Sequence, residues 1–470
     1  MVRLRRSLID LLLVATVFAV DILIQSYNLG KAAYTFTDAG VYLYSAELVS
    51  KGFMPYRDFF LGHPPFLIYV TSAVLKVTNA NLDLFHFLYI IWVFSSIIPI
   101  YCITLSSYSN RTAALLSILL FSATATVVDV DSHSFALRQA SLPLLAYSLY
   151  FVLAKPKQRI AALLLSLFAI SIVSNLLIAA CLVAFLLAGD VLYVTKDPGR
   201  TIRNYKPFIL TFVVAVALGY VVILLIPNGF SNVFGVHLNR PYVPYDLRLQ
   251  WSMPNLSHDW PIVLFGVLGS VFVDQRVKLF GPFNLVSFLI LFSVGPSYYP
   301  HYLVPLAVGF SISAGVFMSY LAKSPSARVM VGLFVIFAIY TSSYQYLKHD
   351  LIIRKTPEFF ELVKELGGTS ETLFAFEPLY ALYAGKELTF HYYVANMRYF
   401  RVLNQNLSER EYLDLLRRSK TVLIEPFALS LLPASTLTHI RQNFLLKYDR
   451  PPHRIYVRKP ANISPPEPRP

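Results

Sequence analysis

Along the first 347 residues polar positions are sparse and grouped, and between them lie apolar runs of the length a helix needs to cross a bilayer. The runs predict about eleven spans: 8–27, 83–105, 112–128, 136–154, 160–174, 176–194, 207–226, 261–274, 279–295, 303–322 and 329–347. A further apolar stretch, 64–79, is shorter, contains Lys76 and follows His63-Pro64-Pro65. Whether it crosses sets the side of every later loop. Cytosolic loops are enriched in lysine and arginine. If 64–79 does not cross, one side receives 15 basic residues in the N-terminus and five mostly tight loops, against 7 in the longer segments opposite. If it crosses, all five basic loops move outside. The pattern therefore predicts that 64–79 lies along the outer surface, with the N-terminus cytoplasmic and the C-terminus outside.

From residue 348 the character changes. Residues 348–470 hold 18 basic and 13 acidic residues, whereas Glu47 is the single glutamate before them. Thr356-Pro357-Glu358 opens a helix that Gly367 closes, and Ser408-Glu409-Arg410-Glu411 is a capping box opening another. Strand-like runs are Thr372–Phe376, Thr421–Glu425, Phe444–Tyr448 and Arg454–Arg458. The predicted class is thus an α-helical polytopic membrane protein (1–347) with a small C-terminal α/β extracytoplasmic domain (348–459). The proline-rich tail, 460–470, is expected to be disordered.

Composition agrees. Of 470 residues, 56% are hydrophobic and 14% charged, where a soluble domain carries about 25% charged residues. The net charge of +14 does not indicate nucleic acid, because most basic residues before the C-terminal region sit in the loops that orient the helices. Cys102 and Cys181 both lie in apolar runs, which argues against a disulfide framework or zinc site. No small-residue cleavage site follows the run 11–24, so it is expected to stay as the first helix.

The expected outer face gathers the candidate chemistry. In the first loop Thr37 or Asp38 can cap a helix over 38–51, with Val41, Tyr44, Ser45 and Leu48 as its buried stripe. A capping aspartate can also serve as a general base. Arg57 and Asp58 either pair at the surface, or Arg57 holds a phosphate with its planar donor fork. His63, before two prolines, is more often structural than catalytic. Asp129, Asp131 and His133 are spaced to bind a divalent ion or simply to form a solvated loop, and Arg138 beside them is a candidate for a lipid phosphate. His301 and Tyr302 follow a Gly-Pro-rich turn, where they either cover a site or anchor helices. Asp10 and Asp21 fall on one face of the first helix and are expected to make polar contacts there.

The stretch Asp38-Ala39-Gly40-Val41-Tyr42, continuing through Pro55-Tyr56-Arg57-Asp58-Phe59 to His63-Pro64-Pro65, resembles the first outer loop of the GT-C superfamily of integral-membrane glycosyltransferases. The branch that looks closest contains the protein O-mannosyltransferases and the aminoarabinose lipid A transferases. Asn81–Ser95, His301–Leu306 and Glu377–Leu388 resemble later segments of that branch, more loosely. The resemblance implies a sugar donor linked to a polyprenyl phosphate, an acceptor that is a lipid, glycan or protein, and inversion at the anomeric carbon. It implies that Asp38 deprotonates or orients the acceptor hydroxyl. Arg57, Arg138, His301 or a divalent metal (Mg or Mn) would stabilise the leaving phosphate, and Asp58, His63 and Tyr302 would support them. Two positions depart from the pattern. Ala39 stands where the family has a second acid, and the arginine usual near the start of the second span is missing, with His86 or Tyr89 nearby. Two other readings stay open: a transporter or flippase of lipid-linked sugars using Asp10 and Asp21, and a non-catalytic relative.

Overall fold

A computed structural model describes residues 2–26, 38–124, 135–153, 158–189, 197–238, 242–272, 280–293, 304–348, 356–369, 372–389, 407–425, 429 and 432–460. Its first part is helical: α1 (Val2–Ser26), α2 (Asp38–Ser50), α3 (Phe66–Val77), α4 (Leu82–Phe94), α5 (Ile97–Tyr108), α6 (Arg111–Ser122) and α7 (Leu137–Leu153). There follow α8 (Gln158–Ser171), α9 (Ser174–Gly189), α10 (Pro198–Leu225), α11 (Tyr245–Phe272), α12 (Phe280–Ser293), α13 (Leu306–Leu321) and α14 (Pro325–Lys348). Among the described residues, three segments are long and apolar enough to cross a membrane: Leu8–Ser26, Leu82–Tyr108 through α4 and α5, and Pro198–Leu225. Several further apolar helices are 10–17 residues long. Large apolar side chains face outward along α1, α10 and α14, such as Leu23, Leu218 and Ile336, the outside expected of helices solvated by lipid.

Helix starts follow local sequence. Asn81, Asn110 and Asp197 each accept a hydrogen bond from a backbone N–H three residues on, capping α4, α6 and α10. Small residues then let helices approach. A methyl group on Gly315 of α13 would lie 2.3 Å from Ser117 Oγ on α6, so this crossing is closed to any side chain. The acids of α1 are tied to neighbouring helices. Asp10 pairs with Arg111 at 2.7 Å and accepts from the Tyr101 hydroxyl at 2.8 Å, while Asp21 accepts from Ser122 Oγ at 2.6 Å.

The C-terminal region contains α15 (Pro357–Gly367), β1 (Thr372–Phe374), α16 (Pro378–Ala384), β2 (Glu387–Leu388), α17 (Glu409–Arg418), β3 (Thr421–Ile424), α18 (Ala434–Asn443), β4 (Phe444–Arg450) and β5 (His453–Arg458). The sheet order is β2-β1-β3-β5-β4. β1 is parallel to both β2 and β3, and β5 is antiparallel to β3 and β4. Alternation along the strands sorts the two faces. Leu373, Ala375, Leu423 and Ile455 join the core that continues through α15 and α16 into the helical part. Phe374, Val422, Ile424 and Phe444 pack instead against α17 and α18. Helices and strands thus alternate through this region. β2 was not among the expected strands, because two residues carry no periodic signal and are drawn into the sheet by β1.

Candidate active site

Asp38 is the first residue of α2; its side chain lies outside what the structure describes. The helix it opens is enclosed. Ala39, Gly40 and the run from Tyr42 to Ala46 are buried, and Val41 is partly exposed. The expected single stripe is therefore corrected to burial nearly all round. The reason is that α2 packs on α3 and also on α16 of the C-terminal region. The Tyr44 hydroxyl accepts the Leu388 N–H at 2.8 Å, and burial pushes its ionisation well above the usual range. A methyl on Gly40 would lie 2.3 Å from Glu377 Oε1 and 3.3 Å from the Leu379 nitrogen. Glycine at position 40 is what lets α16 seat against the first turn of α2.

The segment after α2 folds tightly. Tyr56 has a left-handed backbone (φ 68), donates its N–H to Phe59 O at 2.8 Å and its hydroxyl to His63 O at 2.6 Å. Arg57 and Asp58 pair with each other at the surface through two hydrogen bonds of 2.8 and 2.7 Å. Arg57, with a second hydrogen bond from the Met54 N–H, holds the Asp58 carboxyl down at about 2. His63 is buried, with its ring edge against Tyr42 (5.7 Å) and tilted over His237 (5.0 Å). His237 Nε2 is 2.7 Å from Gly62 O. A lone histidine more than 170 residues downstream gave no sequence signal for this pairing.

Tyr42 also touches Phe135 (6.1 Å), which packs at 5.4 Å on both Phe85 and Tyr89 of α4. The Tyr89 hydroxyl is 3.3 Å from both the N and O of Ala136. These contacts set the start of α7, with the buried Arg138 in its first turn, on the same side of α2 as His63. The structure thus gathers Asp38's helix, His63, His237 and the helix end carrying Arg138. Arg57 and Asp58 stand on this segment, in solvent. Asp129, Asp131, His133, His301 and Tyr302 lie outside the described residues. Among the described residues, no three His, Cys, Asp or Glu side chains are placed to hold a metal.

Two glutamates complete the surroundings. Glu377 caps α16, accepting the Leu379 N–H at 3.3 Å. Glu425, fully buried just past β3, accepts the N–H groups of Phe376 and Glu377 through Oε1, both at 2.8 Å. Burial, and then the charge of Glu377, push its carboxyl up to about 8. A charged residue ending the apolar run Thr421–Ile424, and Glu377-Pro378 opening a helix, were the signals in the sequence, though neither says that the two meet.

No family model matches the chain, and no curated protein matches it in sequence. Solved structures are similar in fold. ArnT from Cupriavidus metallidurans bound to undecaprenyl phosphate aligns at a TM-score of 0.70 with 12% identity, over 95% of this chain and 99% of that one. Its apo structure aligns at 0.69. The archaeal oligosaccharyltransferase AglB from Archaeoglobus fulgidus, in complex with an inhibitory peptide and a dolichol-phosphate, aligns at 0.56 with 11% identity, over 87% of this chain and 69% of that one. The fold is that of the GT-C membrane glycosyltransferases.

Proposed function

We propose that this membrane protein of GT-C fold moves a sugar from a polyprenyl-phosphate donor to an acceptor on the outer face of the cell membrane, with Asp38 as the base. One observation carries the reading. Asp38 opens an enclosed helix, in a fold shared over 95% of the chain with a structure that holds undecaprenyl phosphate. The acceptor oxygen attacks the anomeric carbon from the face opposite the phosphate, the carbon–oxygen bond to phosphate breaks, and the phosphate leaves with the electron pair. The acceptor proton passes to the Asp38 carboxylate. A phosphate leaves as an anion, so cationic or hydrogen-bonding groups suffice at that end. Arg138, buried in the first turn of α7, is a candidate there, as is Arg57, whose guanidinium also pairs with Asp58. His301 is a further candidate. A bound divalent ion, for which Asp129, Asp131 and His133 are the candidates, would add charge stabilisation.

The reading includes about eleven spans, an inward N-terminus and an extracytoplasmic domain over 348–459. Asp10 and Asp21, the residues a proton-linked transporter would use, hold Arg111, Tyr101 and Ser122 on neighbouring helices. The test is to reconstitute the protein in vesicles with a radiolabelled polyprenyl-phosphate sugar and acceptor membranes. The expected result is label on an acceptor together with free polyprenyl phosphate. Label crossing the bilayer still attached to its lipid would support a transporter instead.

A further inference from the structure

Two helices of the C-terminal region finish at one place. α17 ends at Arg418 and α18 at Asn443, and the chain passes from each almost directly into a strand, β3 at Thr421 and β4 at Phe444. The end of β5 ties them together: the Arg458 N–H donates to Lys420 O at 2.9 Å and the Lys459 N–H to Asn443 O at 3.0 Å. A helix C-terminus carries unmatched carbonyls and a partial negative charge, which basic side chains offset. Here β5 supplies them. The Arg458 guanidinium donates to Leu416 O and, at 3.0 Å, to Ser419 O, and Lys459 Nζ donates to Gln442 O at 2.6 Å. The helix ends are thus served by two cations, and four more stand beside them. Arg418, Lys420 and Arg441 are exposed, and none has an acidic partner among the described residues. Arg417 pairs with Asp414 at 3.0 Å in a solvent-exposed contact. Glu387 stands two strands away on β2, and Glu371 lies outside the described residues. Burial first, and then the charges of Arg417 and Arg458, hold the His439 imidazole below its usual range, as a surplus of positive charge requires.

We propose that this end of the C-terminal region, where α17 and α18 finish, is a docking surface for an anionic polysaccharide. The choice of a glycan rests on the reading of the protein as a glycosyltransferase acting on the outer face; the choice of an anion rests on the cations alone. Arginine and lysine recognise carboxylate and phosphate groups through charge-assisted hydrogen bonds. The free cations are exposed and spread over three elements, α17, β3 and α18, rather than gathered in a pocket. That arrangement suits a chain of repeated charges, which can engage several cations at once, better than a single enclosed anion. It does not suit a lipid surface, which takes an apolar face together with the charge. The exposed apolar residues nearby, Leu445 and Leu446, are consecutive on β4 and so point to opposite faces of the sheet.

The test uses the full chain in nanodiscs of neutral lipid, with polygalacturonate as the probe and neutral dextran as its control. The wild type is expected to bind polygalacturonate and not dextran, with affinity falling as salt is raised. The triple variant Arg418→Gln, Lys420→Gln, Arg441→Gln removes only exposed charges and is expected to bind about tenfold or more weakly. Lys364→Gln, Arg410→Gln and Arg454→Gln together remove the same charge elsewhere on the C-terminal region, and should bind within about threefold of wild type. His439 gives a local readout. Its magnetic resonance signal, identified by its loss in His439→Gln, should titrate at higher pH when polygalacturonate is bound, because the polyanion offsets the charges of Arg417 and Arg458. Polygalacturonate bound no better than dextran overturns the proposal, as does a triple variant within twofold of wild type or an unmoved His439 titration. Binding to phosphatidylglycerol vesicles without binding to polygalacturonate overturns it in favour of a lipid surface. If the polymer binds as expected but the wild type transfers no sugar, the docking surface stands and the glycosyltransferase reading falls. If sugar is transferred but the polymer does not bind, the reading stands and the docking surface falls.

Discussion

Glu425 makes stability depend on pH in a direction set by its burial. Its carboxyl is pushed up to about 8 from an ordinary 4.5, by burial first and by Glu377 second. Between those values the unfolded chain gives up the proton and the folded chain keeps it, so stability falls as pH rises through this window and is fully present below it. Glu425→Gln cannot ionise. The melting temperatures of wild type and variant, measured in lipid nanodiscs, should be close at pH 5 and separate by pH 8 with the wild type lower; parallel curves would contradict the account. Tyr44 gives a second check at this scale. Tyr44→Phe leaves the buried Leu388 N–H without its acceptor, a cost of about 1–3 kcal/mol. A variant as stable as wild type would mean that this bond between α2 and β2 contributes nothing.

At the scale of elements, the junction of α2 and α16 matters most. Gly40→Ala would push a methyl group into Glu377 and the Leu379 backbone, and overpacking of this kind costs about 1–3 kcal/mol. Amide exchange in α2 and α16 should quicken while α13 is unaffected; unchanged exchange in α2 would contradict the close approach. Most elements could be read from the sequence because their signals are local. Ser408 forms the expected capping box with Glu411, and Thr356 with Pro357 opens α15 as expected. The enclosure of α2 could not be read. Its sequence is apolar nearly all round, and that pattern does not say that a second unit, more than 300 residues away, covers the remaining face. His237 over His63, and Glu425 behind Glu377, were hidden for the same reason: each depends on a long-range contact, and no spacing encodes it.

At the scale of the whole molecule, the first-loop pattern around Asp38 pointed to a GT-C glycosyltransferase, and the fold agrees with that over nearly the full chain. The orientation has its own check. A tag fused after residue 470 should be accessible from outside intact cells, and labelling that appears only after permeabilisation would reverse the topology. The central claim is tested most directly by single-turnover transfer from a radiolabelled polyprenyl-phosphate sugar, comparing wild type with Asp38→Ala at equal amounts of folded protein. The expected result is transfer by the wild type and a fall of about 100-fold or more in the variant. Transfer by Asp38→Ala at the wild-type rate would contradict it.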